Sequence, residues 1–137
     1  MANKRDLVLN EYDITKFAYR ELHNFCLQYA FKKQKLKDIL SPFKSQIITG
    51  MPHGNEVGNP SESAAVKASA LSSDIEMIEK CARKAGDKDY ELLLLSVTQD
   101  VPWYYLRMLK GLETSEKKFN HKRRYFYYLL ASEKNIL

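Results

Sequence analysis

A chain of 137 residues is long enough for one modest domain, or for two small helical units, with a genuine hydrophobic core. Its 45% hydrophobic content is ordinary for a soluble globular protein, and no apolar run approaches the roughly 20 residues that span a bilayer. The N-terminus lacks the apolar stretch of a secretory signal, so we expect a cytoplasmic protein without membrane contact, and the formal net charge of +5 favours a polyanionic partner.

Residues 13–40 carry the pattern of one long amphipathic helix. Asp13 is its predicted N-cap, because the carboxylate can accept free amide hydrogens of the first turn. Apolar residues then recur mostly at three- and four-residue intervals, as expected for one buried face: Ala18, Leu22, Phe25, Tyr29, Leu36 and Leu40. Pro42 ends the pattern.

A second helix is predicted over 60–85, after a connection at 41–58 that breaks helical periodicity. Asn59 is the predicted cap, Pro60 the first helical residue, and Glu62 can reach back to the amide of the cap. The apolar positions step by four and three residues as far as a stop at Gly86: Ala64, Ala68, Leu71, Ile75, Ile78, Ala82 and Ala85. The shared spacing predicts that this helix forms an antiparallel pair with the first helix. A homodimer could also form through this helical hairpin.

Three shorter helices are predicted in the remaining chain. The first starts at Asp87 or Asp89 and is apolar nearly all round, so it should be central. The second covers roughly Trp103–Lys110, and the third is capped by Thr114 or Ser115 and continues to about Ser132. We therefore predict an all-α protein, with a long antiparallel helix pair over 1–86 and a C-terminal three-helix helix-turn-helix unit over 87–137.

The positive charge is concentrated in this last unit. Residues 103–137 hold eight Lys and Arg residues against three acids, so the whole net charge of +5 lies there. The parts of a helix-turn-helix are present in order: a short support helix, a turn and a basic second helix. The support helix is predicted to offer Trp103, Leu106 and Leu109 to the core, and the turn contains Gly111 and Leu112. In such units the second helix enters the DNA major groove.

A helical projection separates two faces of that second helix. At 100° per residue, Phe119, Phe126 and Leu130 share the core face, with Leu129 beside them. The opposite side carries residues that can hydrogen-bond base edges or contact thymine methyls: Lys117, His121, Arg124, Tyr125 and Tyr128. Three cations on the flanks are predicted to contact phosphates: Lys118, Lys122 and Arg123.

Two other interpretations of this basic helix remain open. Basic faces are common on charged proteins, so the side chains can simply be solvated. Phe and Leu along one side also suit an amphipathic helix on a membrane surface, although Tyr and Lys are spread too widely for that. Five cations within the eight positions 117–124 repel one another unless a polyanion neutralises them, which favours nucleic acid.

A family resemblance supports the same interpretation. The run VTQDVPWYYLRMLKGLETSEKKFNHKRRYFYYLL resembles the C-terminal part of phage-encoded late-gene transcription regulators of Gram-positive bacteria, the ArpU/RinA-type group. The segment TGMPHGNEVGNPSE is similar to the middle section of those regulators, and the two matches together cover residues 45–137. The resemblance implies a helical DNA-binding regulator with residues 117–128 in the recognition position.

No motif in the chain indicates catalysis or a metal site. His23, His53 and His121 lie in three different elements, and no glycine loop carries the Lys-Ser/Thr pair of a phosphate-binding loop. Cys26 and Cys81 are too few for a disulfide scaffold and are predicted to be reduced core thiols, with no cofactor or metal bound.

The sequence thus predicts a phage-derived transcription regulator that binds double-stranded DNA in a bacterial host and is not an enzyme. RNA polymerase or another host protein is a further candidate partner. The alternative is a protein-interaction module, such as a small terminase-like packaging subunit or a phage inhibitor of a host protein.

Overall fold

The computed structural model describes residues 7–41 and 60–136, and every regular element in these ranges is helical. The six α-helices are α1 Lys16–Leu27, α2 Tyr29–Leu40, α3 Pro60–Gly86, α4 Tyr90–Gln99, α5 Trp103–Lys110 and α6 Glu116–Glu133. Short 3-10 turns precede α1 and α4, at Asn10–Tyr12 and Asp87–Asp89. The all-α prediction is confirmed for these ranges, whereas the connection predicted at 41–58 lies outside them apart from its first residue. No helix in the described ranges has the length and apolar character that crossing a bilayer requires.

The start of the first helix differs from the prediction. Asp13 has a left-handed φ of 58° and its amide donates to the Asn10 carbonyl, so it ends the 3-10 turn and caps no α-helix. Thr15 caps α1 instead, because its Oγ1 accepts the amide hydrogen of Ala18 at 3.1 Å. A hydroxyl two residues further on was the correct cap.

The predicted continuous helix over 13–40 is also interrupted. At Gln28 the backbone amide donates to the carbonyl of Phe25, three residues back, at 3.3 Å. A bond between residues three apart belongs to a 3-10 turn and not to an α-helix, so α1 ends here and α2 begins at the next residue. The apolar spacing continues through the break, which is why the sequence pattern alone did not reveal it.

The helix predicted over 60–85 is confirmed as α3. Its second half is the more buried, with Ile78 and Ala82 fully inaccessible, while Ala64 and Ala68 in the first half are half-buried. Polar contacts join α2 to α3: Lys32 Nζ lies 2.9 Å from the Asp74 carboxylate, and the Tyr29 hydroxyl donates to the Glu79 carboxylate. Burial and that hydrogen bond raise the pKa of Tyr29, so it remains a donor.

The chain divides by its contacts into two compact units, one within Met1–Tyr29 and Met77–Leu137, the other within Ala30–Glu76. In the first unit α4 is central, as its composition predicted, because it contacts α1, α5 and α6, and α1 also contacts α6. The side chains that fill this core are almost inaccessible: Leu22, Cys26, Ile78, Leu93, Val97, Leu106, Phe119, Phe126, Tyr127 and Leu130. The division predicted at residue 86 remains a prediction.

Both cysteines are buried in this core, as predicted. Burial raises the pKa of the Cys81 thiol to about 11, so it is protonated at neutral pH and a poor nucleophile. The half-buried His23 ring lies 3.4 Å from the Asp100 carboxylate and 3.5 Å from the Tyr127 hydroxyl. These contacts link α1 to α6 and to the end of α4.

Candidate nucleic-acid interface

The turn between α5 and α6 follows from its sequence. Gly111 ends α5 with a φ of 77°, which glycine adopts without strain, and its amide donates to the Leu106 carbonyl. Leu112 is 2% exposed and anchors the turn in the core. Ser115 then caps α6, with its Oγ accepting the Lys118 amide at 3.3 Å. The predicted stop, buried turn residue and cap are all confirmed.

Side chains from outside the turn hold it in place. The Trp103 indole donates to the Thr114 carbonyl at 2.8 Å, and the Thr114 hydroxyl donates to the Asp89 carboxylate. Burial acts to raise the pKa of Asp89, but hydrogen bonds from Thr114 and Lys122 outweigh it, so the pKa lies below its ordinary value. Asp89 is therefore ionised at neutral pH, although its side chain is only 11% exposed.

Three of the eight predicted DNA contacts are exposed on the first two turns of α6. Lys117, Lys118 and His121 form this group, which we call the leading strip. The spacing of one, three and four residues places them side by side on one surface of the helix. Lys110, at the end of α5, is exposed as well.

Lys122 instead forms hydrogen bonds within the chain. Its Nζ donates to the Asp89 carboxylate at 3.0 Å and to the Gly86 carbonyl at 3.1 Å, and its side chain is 22% exposed. The ammonium thus neutralises the buried carboxylate that also holds the turn before α6. Its predicted phosphate contact would require it to leave these partners.

The two arginines that follow are half-buried. Arg123 Nη1 donates to the Asn120 side chain at 3.1 Å, within its own helix. Arg124 Nε lies 3.7 Å from the Glu11 carboxylate, which belongs to the N-terminal 3-10 turn. The Nε atoms of both arginines are buried without a hydrogen bond to any described residue.

The two predicted tyrosines also have intramolecular neighbours. The Tyr128 ring stacks on Tyr12 with centroids 4.7 Å apart, and the Tyr125 ring lies parallel to Tyr128 at 6.2 Å. The N-terminal 3-10 turn therefore lies against the second half of the predicted DNA-reading face. Of the eight predicted residues, the structure brings three together at the surface and engages five in contacts within the chain.

Sequence reasoning missed this N-terminal contact. Leu9 and Ile14, on either side of the 3-10 turn, are 2% and 4% exposed and fix the segment to the core. Residues 7–12 have no helical or strand periodicity, so no pattern placed them. Tyr127, which is fully buried, was also missed, since its position on the projection lies between the two assigned faces.

The prediction for α5 needs one correction. Leu106 is buried as predicted, but Leu109 is 65% exposed and does not reach the core. Leu109 belongs to a surface group of large apolar side chains, together with Tyr104, Tyr105 and Met108.

Comparison with known proteins does not add a relative. No protein-family model matches the chain, and neither the curated proteins nor the solved structures include a significant match. Within the described ranges, no three His, Cys, Asp or Glu side chains are grouped so that they could hold a metal ion.

Proposed function

We propose that the protein is a phage-derived transcription regulator that binds double-stranded DNA inside a bacterial host, with the start of α6 in the major groove. The observation that carries the proposal is the exposed leading strip, which directly follows the capped turn between α5 and α6. Helix-turn-helix proteins use the N-terminal residues of their second helix to contact base edges. The leading strip occupies that position.

The eight residues predicted from the sequence then divide into two roles. Lys117 and His121 face base edges, and Lys118 contacts a phosphate from the flank. The other five orient α6 through contacts inside the chain, because each already has a partner or a buried polar atom: Lys122, Arg123, Arg124, Tyr125 and Tyr128. This assignment moves the DNA-reading surface towards the N-terminus of α6.

The salt dependence of DNA binding tests this assignment. If Lys118 alone among the cations of 117–124 neutralises a phosphate, the slope of log affinity against log salt should be about −1. If all five cations within 117–124 contacted phosphates, the slope would approach about −5. Fluorescence anisotropy with a labelled duplex measures the slope, and an affinity that does not depend on salt rules against the proposal.

Selection from a random duplex library supplies the site for the mutational test. We expect His121→Ala and Lys117→Ala to relax preference at one or two positions of the selected site, and Lys118→Ala to weaken all sequences alike. Lys67→Ala changes an exposed lysine of α3 and is the matched control. Unchanged affinity and preference in all three α6 variants would show that another surface binds the DNA.

We further propose that α2 and α3 form the antiparallel pair expected from the sequence and that this pair supplies a homodimer contact. The pairs Tyr29–Glu79 and Lys32–Asp74 support the antiparallel arrangement, because they step forward along α2 and backward along α3. Light scattering distinguishes a dimer from the large ring of a small terminase. Co-purified nucleic acid, seen as a high 260/280 absorbance ratio, separates a DNA-binding protein from a module that binds protein alone.

A further inference from the structure

Helix α5 exposes an unusual share of its apolar side chains. Four of its eight residues are large, apolar and accessible, with exposed fractions of 56% for Tyr104, 44% for Tyr105, 79% for Met108 and 65% for Leu109. At 100° per residue the four lie within an arc of about 140°, and Tyr104 and Met108 are about 160° from the fully buried Leu106. We call this group the α5 face.

The α5 face differs from the isolated apolar residues that any protein surface carries. Phe17 and Phe31 are equally exposed, but each has a cation over its ring: Lys16 and Arg20 lie within 6 Å of the Phe17 centroid, and Lys35 within 5.4 Å of the Phe31 centroid. The α5 face instead joins four neighbouring aromatic and aliphatic side chains into one patch. Contiguous apolar patches of this kind mark binding surfaces.

DNA does not suit this face. Met108 and Leu109 are its most exposed members, and neither side chain has a hydrogen-bond donor for a phosphate oxygen. Covering Met108 and Leu109 with DNA would place apolar side chains against charged phosphates, which lose water without gaining a hydrogen bond. The occupant should therefore be an apolar protein surface.

The size of the face fits a single helix better than a second copy of this chain. Its four side chains expose on the order of 500 Å², whereas a stable interface buries about 800 Å² on each partner. An amphipathic helix binds through one apolar stripe of a few anchor residues, which is the form that the α5 face can match. The area thus argues against a stable dimer formed through α5 alone.

The surrounding charge indicates which helix would bind. Arg107 and Lys110 are exposed on α5, which contains no acid, and residues 103–118 hold four cations against two acids. The Arg107 guanidinium is held 5.7 Å from the Trp103 ring centroid, beside the apolar face. Two copies placed face to face would bring these cations together, while a partner with acidic residues flanking its apolar stripe would neutralise them.

We propose that the α5 face docks an amphipathic helix of a second protein, with apolar residues against Tyr104, Met108 and Leu109 and acidic residues beside Arg107 and Lys110. This interaction is separate from the DNA contact of the leading strip. It would allow the protein to hold a protein partner while α6 occupies the groove.

The test uses two labelled peptides of about five helical turns, identical in their Leu stripe but with Glu in one and Lys in the other at the flanking positions. Fluorescence anisotropy with the full chain should show the Glu peptide binding at least tenfold more tightly, with affinity falling as salt rises. Met108→Glu and Leu109→Glu should each weaken the Glu peptide by tenfold or more. Val66→Glu, at an α3 residue that is 67% exposed, is the matched control and should bind as the wild type does.

Two further measurements make the result decisive. Arg107→Glu combined with Lys110→Glu should reverse the preference towards the Lys peptide, and thermal unfolding must show each variant folded. Met108→Glu should also leave duplex affinity unchanged, which separates this proposal from the DNA-binding one. Equal binding of both peptides, no binding, or self-association of the wild type that Met108→Glu abolishes would each overturn the proposal, the last by assigning the face to a second copy.

Discussion

Replacing Lys122 with alanine distinguishes a residue that stabilises the fold from one that binds phosphate. The sequence places Lys122 among the cations on the flank of α6, but its Nζ donates to Asp89 at 3.0 Å and to the Gly86 carbonyl at 3.1 Å. Lys122→Ala removes both bonds and leaves a carboxylate that is only 11% exposed without its cation. Breaking a fully buried ion pair costs more than this, but the Lys122 and Asp89 side chains both retain some solvent contact. We therefore expect a loss of about 2 kcal/mol in unfolding free energy.

Urea unfolding followed by circular dichroism measures this loss, which corresponds to a fall in Tm of roughly 8 °C for a chain of this size. Asp89→Asn provides the second arm of a double-mutant cycle, and we expect the double variant to lose less than the sum of the single losses. Lys118→Ala is the matched control, because Lys118 is exposed and should change stability by less than about 0.5 kcal/mol.

The pH dependence of the effect has a defined sign. Because the folded-state pKa of Asp89 is lowered, the pair stabilises the protein above the unfolded-state pKa of about 3.9, and this contribution is lost as the pH falls through the folded-state value. The difference in unfolding free energy between wild type and Lys122→Ala should therefore have its full value at pH 7 and decrease below about pH 4. If Lys122→Ala kept wild-type stability while losing DNA affinity as Lys118→Ala does, the structural role assigned to Lys122 would be refuted.

Three further predictions concern the rest of the fold. Gly111→Ala should destabilise the protein by about 1 kcal/mol, since alanine is strained at a φ of 77°, and an unchanged urea midpoint would contradict this. Tyr12→Ala removes the stack on Tyr128 and should lower the unfolding free energy by about 1.5 kcal/mol in the same assay, whereas an equal stability would mean that the N-terminal turn is not fixed there. Cys81 is 2% exposed with a pKa of about 11, so a chromogenic disulfide reagent should modify it only as fast as the protein opens; immediate labelling of the native protein would disprove the burial.

Much of the helical architecture follows from local signals in the sequence. The start at Pro60, the stop at Gly111 and the cap at Ser115 could be predicted because each depends on residues within one helical turn. The break at Gln28 could not be predicted, since it is a change in backbone hydrogen bonding that leaves the apolar spacing intact. Asp13 and Thr15 are both good caps by residue type, and the sequence does not decide between them.

The candidate site was harder to predict for a different reason. A helical projection shows which side of α6 points away from its own core residues, but it does not show which other segment covers that side. Glu11 contacts Arg124 and Tyr12 stacks on Tyr128, although each pair is more than a hundred residues apart in the chain. The same limit applies to Leu109, whose spacing suits a buried face while no described element covers it.

The first unit is completed by residues from both sides of an intervening segment, 30–76, and this affects how the chain can fold during synthesis. The ribosome makes α1 about 100 residues before it finishes α6, which at about 5–20 residues per second is a delay on the order of ten seconds. Until α6 is made, Tyr19, Leu22 and Cys26 lack that part of their packing, and α4 is itself complete only about 70 residues after α1. A nascent chain with such an uncovered stripe is a substrate for chaperones, so we expect the yield of folded protein to depend on the rate of translation.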